Sequence, residues 1–285
     1  MATTGNAVCN GGRHRHARRR PRRRCPRSDR LGADHVDSRD MTTVTNRMEI
    51  HTVAGGGGLR LHVREWGNPD GAPILFVHGW SQNHLCWAQA VRQLAGIIAH
   101  RRLDRPVLVG SSYGPFAILD YIREYGQDAI AAVNFVAGAV KLGEAAFGTL
   151  IGPAFLDHVA GATAADLPTN IQALRRFLAG CTAGQLSTED FETALCYHAI
   201  VPAQVRAHLA ARQLDGDDVL RTLMVPLLVT HGRLDRVVLP AMADHVLATC
   251  PTAEASWYDG VGHVPFLESP ERFNRELADL VRRAR

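Results

Sequence analysis

The stretch that decides the fold is Val107-Leu-Val-Gly-Ser-Ser-Tyr-Gly-Pro-Phe116. A short apolar run leads into Gly110-Ser-Ser-Tyr-Gly114, and a pattern typical of a helix follows. This is the strand, G-x-S-x-G, helix order of a nucleophile elbow, whose strained turn exposes a serine hydroxyl at the top of a sheet. The positions two before and two after that serine must be small, and Gly110 and Gly114 fill them. We therefore predict that Ser112 is a nucleophile.

Two further polar residues follow apolar runs that read as strands. Asp235 comes after Met224–Thr230, and His263 comes after Ala255–Tyr258. In an open parallel sheet the ligand site lies beyond the carboxyl ends of the strands, so these side chains can meet Ser112. A serine needs an imidazole to take its proton, and a carboxylate fixes the tautomer of that imidazole. The order Ser, Asp, His predicts such a relay.

Each element of this prediction has a structural alternative. A lone G-x-S-x-G is a weak signal because glycine and serine are common in loops, and Asp235 or His263 alone could be an ordinary loop residue. Ser111 is the competing serine, but its neighbours at the critical spacing, Val109 and Tyr113, are too bulky. The three residues taken together favour a catalytic site.

The same reasoning predicts two donors for an oxyanion. The backbone N–H of Tyr113 directly follows the nucleophile at a predicted helix N-terminus. The N–H of Trp80 lies in the loop after His78 and Gly79, at the end of another buried strand. Backbone N–H groups aimed at developing negative charge are the usual means of stabilising acyl-transfer intermediates.

Strands that alternate with helices predict an α/β fold with a mostly parallel sheet. We assign residues 48–140 and 223–285 to the core. Residues 141–222 lack strand signals and are predicted to form a helical insertion, here called the cap segment. Its acidic cluster, Asp215, Asp217 and Asp218, is interpreted as a solvated turn.

Composition limits the remaining classes. The chain has 285 residues, 46% of them hydrophobic, and no apolar run approaches the ~20 residues of a membrane span. Six scattered cysteines without a C-x-x-C pair argue against a disulfide framework or a zinc site and predict a reducing, cytoplasmic setting. A homo-oligomer is compatible with this composition.

The N-terminus differs from the rest of the chain. Residues 1–40 carry eleven arginines against four aspartates and almost no large apolar residues, so residues 1–47 are predicted to be a disordered basic leader. Charge alone would permit a nucleic-acid-binding arm. The favoured interpretation is an inert tail, or a leader that is absent because translation starts at Met41 or Met48.

Four motifs carry a family resemblance over roughly residues 48–285. They are FVHGW (76–80), VLVGSSYG (107–114), HGRLD (231–235) and GVGHVPFLESPERFN (260–274). The sequence resembles the α/β-hydrolase superfamily, and within it the Ser-triad esterases and cofactor-free haloperoxidases (perhydrolases). The resemblance implies an eight-stranded fold with a helical cap after the sixth strand, and no organic or metal cofactor. The serine at position 112 argues against the related dehalogenases and epoxide hydrolases, which use aspartate there.

One departure from the family concerns the segment between Trp80 and Pro106. The family fits helix, strand and helix here, whereas this segment has room for one crossover helix, predicted at Asn83–Arg102. The chain is therefore expected to lack one strand and one helix. The N-terminal hairpin would then either stand apart from strand Ile74–Val77 or re-pair with it.

These observations predict a serine hydrolase that cleaves a small carboxylic ester or related acyl compound through an acyl-enzyme. Peracid formation from the same residues is expected as a side activity. The alternative, motivated by the short segment 80–106, is a hydrolase fold that has lost catalysis.

Overall fold

The computed structural model describes residues 48–54, 60–67, 71–82 and 104–284. The predictions for the leader 1–47 and for helix Asn83–Arg102 lie outside the described residues. In chain order the strands are Met48–Ala54 (β1), Arg60–Trp66 (β2), Ile74–Val77 (β3), Val107–Ser111 (β4), Ala132–Val136 (β5), Lys141–Leu142 (β6), Leu214–Asp215 (β7), Leu227–Gly232 (β8) and Ala253–Tyr258 (β9).

The centre of the fold is a parallel five-stranded sheet with the order β3-β4-β5-β8-β9. Every residue of β4, β5 and β8 is buried, which explains why these strands read as continuous apolar runs. The mostly parallel α/β architecture predicted from the sequence is confirmed. The carboxyl ends of these strands face the candidate site.

Helices cover the sheet and fill the cap segment. They are Gly114–Tyr125 (α1), Pro153–Leu156 (α2), Val159–Ala162 (α3), Leu167–Cys181 (α4), Thr188–Ile200 (α5), Ala203–Ala210 (α6), Asp217–Leu220 (α7), Pro240–Thr249 (α8), Pro265–Glu268 (α9) and Pro270–Arg283 (α10), with a short 3₁₀ turn at Glu144–Ala146. Helix α1 has a proline in its first turn and ends at Tyr125, where Gly126, whose φ is 77°, caps it. In the part of the chain that is described, no helix is long and apolar enough to cross a bilayer.

Strand β5 is shorter than the apolar run Ala131–Val140, which by its pattern predicts a strand over its whole length. It ends at Val136 because the next residue, Ala137, has a φ of 47° and turns the chain toward the nucleophile. The Ala137 amide donates to Thr230 O (2.8 Å) and the Ala139 amide donates to Ser112 O (2.7 Å). The apolar residues after Val136 are therefore buried in a loop rather than in a strand.

The cap segment contains two short strands that the sequence pattern did not predict. Strands β6 and β7 pair antiparallel, with Lys141 opposite Asp215 and Leu142 opposite Leu214. Their two-residue length is too short to show alternation. Lys141 Nζ lies 2.7 Å from Asp215 and 2.9 Å from Asp217. Asp217 is thus buried and ion-paired, which the interpretation as a solvated turn did not foresee, whereas Asp215 and Asp218 are exposed to solvent as that interpretation expected.

The β3 edge of the sheet bears on the predicted missing strand. β3 pairs directly with β4, with Ile74 opposite Val107 and Val77 opposite Gly110. β1 and β2 form a separate antiparallel sheet. Of the two expected outcomes, the hairpin therefore stands apart from β3, and Leu75 of β3 is 41% exposed.

Candidate active site

The nucleophile elbow forms because three backbone segments approach closely. Ser112 follows β4 with a φ of 55°, a left-handed conformation that is strained for a residue with a side chain. A Cβ added to Gly110 would lie 2.8 Å from Pro115 N. A Cβ added to Gly114 would lie 2.5 Å from Val77 O. Both positions therefore exclude side chains, as the sequence predicted.

Hydrogen bonds from the loop after β5 hold the strained residue. The Ser112 amide donates to Val136 O at 3.0 Å, and the Ser112 carbonyl accepts from the Ala139 amide at 2.7 Å. A conformation of this kind persists only when its surroundings fix it. The competing Ser111 ends β4 and is 1% exposed, so its hydroxyl is not presented to the site.

Ser112, His263 and Asp235 are brought together in one hydrogen-bonded row, here called the relay. His263 Nδ1 lies 2.8 Å from Asp235 Oδ2, and His263 Nε2 lies 2.9 Å from Ser112 Oγ. Since an ionised carboxylate can only accept, Nδ1 carries the imidazole proton of a neutral His263. Nε2 is then free to accept the proton of the serine hydroxyl.

Asp235 is fixed in the loop after β8. Its Oδ1 accepts from the amides of Val237 (2.8 Å) and Val238 (3.1 Å), which leaves Oδ2 for His263. Burial alone would raise the pKa of Asp235, but the interactions with His263 and His231 outweigh it and lower the pKa to about 2. The carboxylate is therefore ionised at neutral pH.

His231 supports this carboxylate and was not among the predicted site residues. Its side chain is fully buried, and its Nε2 donates to Val238 O at 2.9 Å and lies 3.4 Å from Asp235 Oδ2. The signal was present in the HGRLD motif, where His231 precedes Asp235 by four residues. It was missed because the motif was used only to find the aspartate.

The loop that carries His263 is held by the cap segment. The His263 amide donates to Cys181 O (2.7 Å), at the end of α4. Glu268 accepts from the Gly262 amide at 2.9 Å through Oε1 and from the Ala183 amide at 2.7 Å through Oε2. Glu268, another residue that the sequence analysis did not select, thus connects the histidine loop to the cap segment.

The predicted oxyanion donors lie close to the nucleophile, Tyr113 as the next residue and Trp80 in the loop that packs against Ser112. A Cβ on Gly79 would lie 2.7 Å from Ser112 Cβ, so the loop 78–80 packs directly against the serine. Within the described ranges, neither the Trp80 amide nor the Tyr113 amide donates to a protein acceptor. The side chain of His78 is exposed and donates to Gly79 O (3.0 Å). This hydrogen bond gives His78 a structural role in the turn.

Two pockets, here called chambers, adjoin Ser112, and each encloses about 410 Å³ of space that extends into open solvent. Trp80 and Phe177, in an edge-to-face contact at 5.6 Å, line both. The first chamber is almost entirely apolar and includes Tyr113, Phe116, Ile151, Phe155, Val237 and Val238. The second chamber includes His263 and the more polar side chains Gln82, Thr182, Tyr197 and His198.

A model of the alpha/beta hydrolase family matches residues 83–276, a span that includes the whole relay. The chain belongs to this family. The resemblance inferred from the four sequence motifs is thereby confirmed, and this alpha/beta hydrolase is a hydrolytic enzyme with esterase relatives.

Three comparisons place the chain within the family. The esterase RhEst1 from Rhodococcus sp. ECU1013 is 28% identical, with a TM-score of 0.75 over 81% of this chain and 98% of that protein. A pimeloyl-[acyl-carrier protein] methyl ester esterase from Vibrio cholerae is 23% identical over 248 residues, which cover 75% of this chain and 95% of the relative. A bromoperoxidase from Bacillus anthracis, at 18% identity and a TM-score of 0.69 over 83% of this chain and 100% of that one, shares the fold.

Proposed function

We propose that the protein is a serine esterase acting through an acyl-enzyme. The observation that carries this proposal is the relay, with 2.9 Å between Ser112 Oγ and His263 Nε2 and 2.8 Å between His263 Nδ1 and Asp235 Oδ2. Ser112 Oγ bonds to the ester carbonyl carbon while its proton passes to His263 Nε2. The carbon–alkoxy bond then breaks, and His263 gives that proton to the departing alcohol.

Water completes the cycle with the same residues. His263 removes a proton from a water molecule as its oxygen attacks the acyl carbon, and the proton then returns to Ser112 Oγ as the carboxylic acid leaves. The ionised Asp235 keeps Nδ1 protonated and stabilises the imidazolium in both halves. The amides of Trp80 and Tyr113 are proposed to bind the oxyanion of each tetrahedral intermediate.

The two chambers suggest how the substrate lies. The departing alcohol must receive its proton from His263 Nε2, so we place the alcohol half in the second chamber, which His263 lines. The acyl half then occupies the first chamber, beside the proposed oxyanion donors. Its apolar walls favour a small, uncharged acyl group, because a polar group there would lose its hydrogen bonds to water.

Peracid formation is the companion proposal. Hydrogen peroxide attacks the acyl-enzyme in the place of water, gives its proton to His263, and leaves as the peracid when Ser112 Oγ is reprotonated. The step uses the same chain residues as ester hydrolysis. A rise in peracid on adding peroxide to an ester assay, absent in a Ser112→Ala variant, is the expected result.

The free cysteines are relevant to the cellular compartment in which the enzyme works. Cys181, Cys196 and Cys250, the cysteines in the part of the chain described, form no disulfide with one another. They support the proposal that the enzyme works in a reducing compartment such as the cytoplasm.

The decisive experiment removes the nucleophile. A Ser112→Ala variant is expected to lose at least about a thousandfold in kcat on p-nitrophenyl butyrate, because the relay acts as a unit. The matched control is Ser111→Ala, the same change one residue earlier. A fluorophosphonate should label the wild type and Ser111→Ala once per chain, and Ser112→Ala not at all. Turnover in Ser112→Ala equal to that of the wild type would reject Ser112 as the nucleophile. A wild type with neither turnover nor labelling would favour the alternative of a fold without catalysis.

A further inference from the structure

The second chamber contains a buried histidine that the proposed reaction does not use. His198 lies near the end of α5, lines the chamber together with Ser112 and His263, and is 1% exposed. Its Nε2 is buried and has no hydrogen-bond partner among the described residues. A buried polar atom without a partner is uncommon in folded proteins and calls for a specific explanation.

The other ring nitrogen fixes the tautomer. His198 Nδ1 lies 2.8 Å from Ala194 O, one turn earlier on α5. A carbonyl oxygen can only accept, so Nδ1 carries the proton. Burial lowers the pKa of His198 to about 4, and the charge of Arg206 acts in the same direction against the Ala194 carbonyl. The ring is neutral at pH 7, and Nε2 is a hydrogen-bond acceptor.

The ring cannot easily turn away to find a partner. Tyr197 stacks on it at 4.8 Å, and Phe177 meets it at 6.0 Å from another helix. The His198 carbonyl accepts from Ser81 Oγ (3.2 Å) and from Arg206 Nη1 (2.7 Å). With Nδ1 bonded back to its own helix, Nε2 is the ring nitrogen left to bind another group.

We propose that His198 Nε2 accepts a hydrogen bond from a hydroxyl group on the alcohol half of the substrate. The inference rests on the proposed function, which places that half in the second chamber. The rest of the chamber includes apolar side chains such as Leu178, Leu186, Val264 and Leu267. The alcohol that fits both features has an apolar body and a second hydroxyl, so the substrate class is the monoesters of diols.

The experiment compares matched substrates. Each ω-hydroxyalkyl butyrate, from 2-hydroxyethyl to 6-hydroxyhexyl, is paired with the n-alkyl butyrate of equal heavy-atom count. At the best chain length the wild type should prefer the hydroxylated ester in kcat/KM by about fivefold or more, as expected for one buried hydrogen bond. The difference should fall mainly in KM, because His198 is not among the proton-transfer groups.

Three variants assign the preference to the ring nitrogen. His198→Phe keeps a planar ring without an acceptor and should abolish the preference. His198→Gln, whose side-chain oxygen can accept, should retain part of it. His208→Phe, the same change at an exposed histidine of α6, should leave it intact. A preference of equal size in the wild type and His198→Phe would overturn the proposal.

A binding measurement separates this inference from the proposed function. In a Ser112→Ala background, calorimetry gives the Kd of each uncleaved ester, and the hydroxylated member should again bind about fivefold more tightly. Absence of turnover in the wild type together with this binding preference would reject the esterase proposal and leave the His198 site standing. In the Ser112→Ala protein, which retains His198, equal Kd values for the two esters of every pair would overturn the His198 site. This outcome holds whether or not the wild type turns over esters.

Discussion

The serine and the histidine of the relay are held in place by different forces. Ser112 is positioned by steric close approach: Gly110 and Gly114 bring the chain so near to its neighbours that no side chain fits. The backbone of this turn contacts β3, α1 and the loop after β5, while the cap segment reaches it at the side chain of Tyr113, whose hydroxyl accepts from Arg212 at 3.1 Å. The nucleophile is thus fixed by the same packing that forms the fold.

His263 depends instead on hydrogen bonds from the cap segment. Its amide donates to Cys181 O, and Glu268 joins the histidine loop to the Ala183 amide. The cap segment also lines both chambers. The cap segment therefore both contacts the substrate and orients the general base. Changes in the cap segment should alter kcat as well as KM. The nucleophile should be insensitive to such changes.

The largest effect is expected on the nucleophile side. Gly114→Ala places a Cβ 2.5 Å from Val77 O, which must push β3 and α1 apart. We expect a loss of about 3 kcal/mol in the free energy of unfolding and about a hundredfold in kcat, because a shift near 1 Å misaligns the serine. Urea unfolding and ester turnover measure both.

Gly184→Ala is the matched control for this prediction. Position 184 lies in the exposed turn after α4, and an added Cβ would meet nothing within 4 Å. Its stability and turnover should stay close to those of the wild type. If Gly114→Ala behaved like Gly184→Ala, steric approach would not be what positions Ser112.

The difference between the two sides also explains what the sequence could predict. The relay residues were found because each follows an apolar run, and parallel strands bring their carboxyl ends to one edge. Gly110 and Gly114 were found because their spacing from the serine is a local sequence pattern, although the atom that Gly114 approaches, Val77 O, is distant in sequence. The structure adds the contacts that make the relay a unit, including the loop after β5 that clamps Ser112.

The histidine side was less predictable because its supports are long-range. Glu268 stands in the motif around His263, but its partner Ala183 is 85 residues away. His198 lies in a segment whose helical pattern gives no indication of which ring enters a chamber. Strands β6 and β7 pair residues more than 70 positions apart over only two positions each. Such features are set by tertiary packing, not by a local period.

A smaller effect is expected from Glu268→Gln. The amide retains one accepting oxygen but turns an NH₂ group toward a backbone N–H, so one of the two braces is lost. We expect kcat to fall by about tenfold to a hundredfold, as the histidine loop loses its fixed distance to Ser112. Steady-state kinetics on p-nitrophenyl butyrate measure this.

Fluorophosphonate labelling adds a second readout for Glu268. The rate of labelling should fall with kcat, since it needs the same His263 geometry, while the melting temperature falls only modestly. Glu271→Gln, at an exposed glutamate in the first turn of α10, is the control and should change neither quantity. Unchanged labelling in Glu268→Gln would mean that Glu268 does not position His263. Core packing would then account for the position of the histidine as it does for that of the serine.

The smallest effect concerns the carboxylate that completes the histidine side. The pKa of Asp235 is lowered to about 2 in the folded protein, against an ordinary value near 3.8. The unfolded chain therefore takes up this proton first as the pH falls. The resulting stabilisation, about 2 kcal/mol, is fully present above about pH 4 and disappears as the pH falls toward 2.

Asp235→Asn tests this linkage by measurements of stability alone. Activity cannot serve as the readout, because the variant lacks the carboxylate that orients His263. The variant should be less stable than the wild type, and the difference between their free energies of unfolding should be largest at neutral pH. This difference should shrink by about 2 kcal/mol as the pH is lowered from 5 to 2. Asp259→Asn, at a side chain that is 89% exposed, should show a gap that barely changes over the same range. A pH-independent gap for Asp235→Asn would mean that its hydrogen bonds to Val237 and Val238 stabilise the loop without the charge. The histidine side would then be held by shape, as the nucleophile side is, and the contrast between them would disappear.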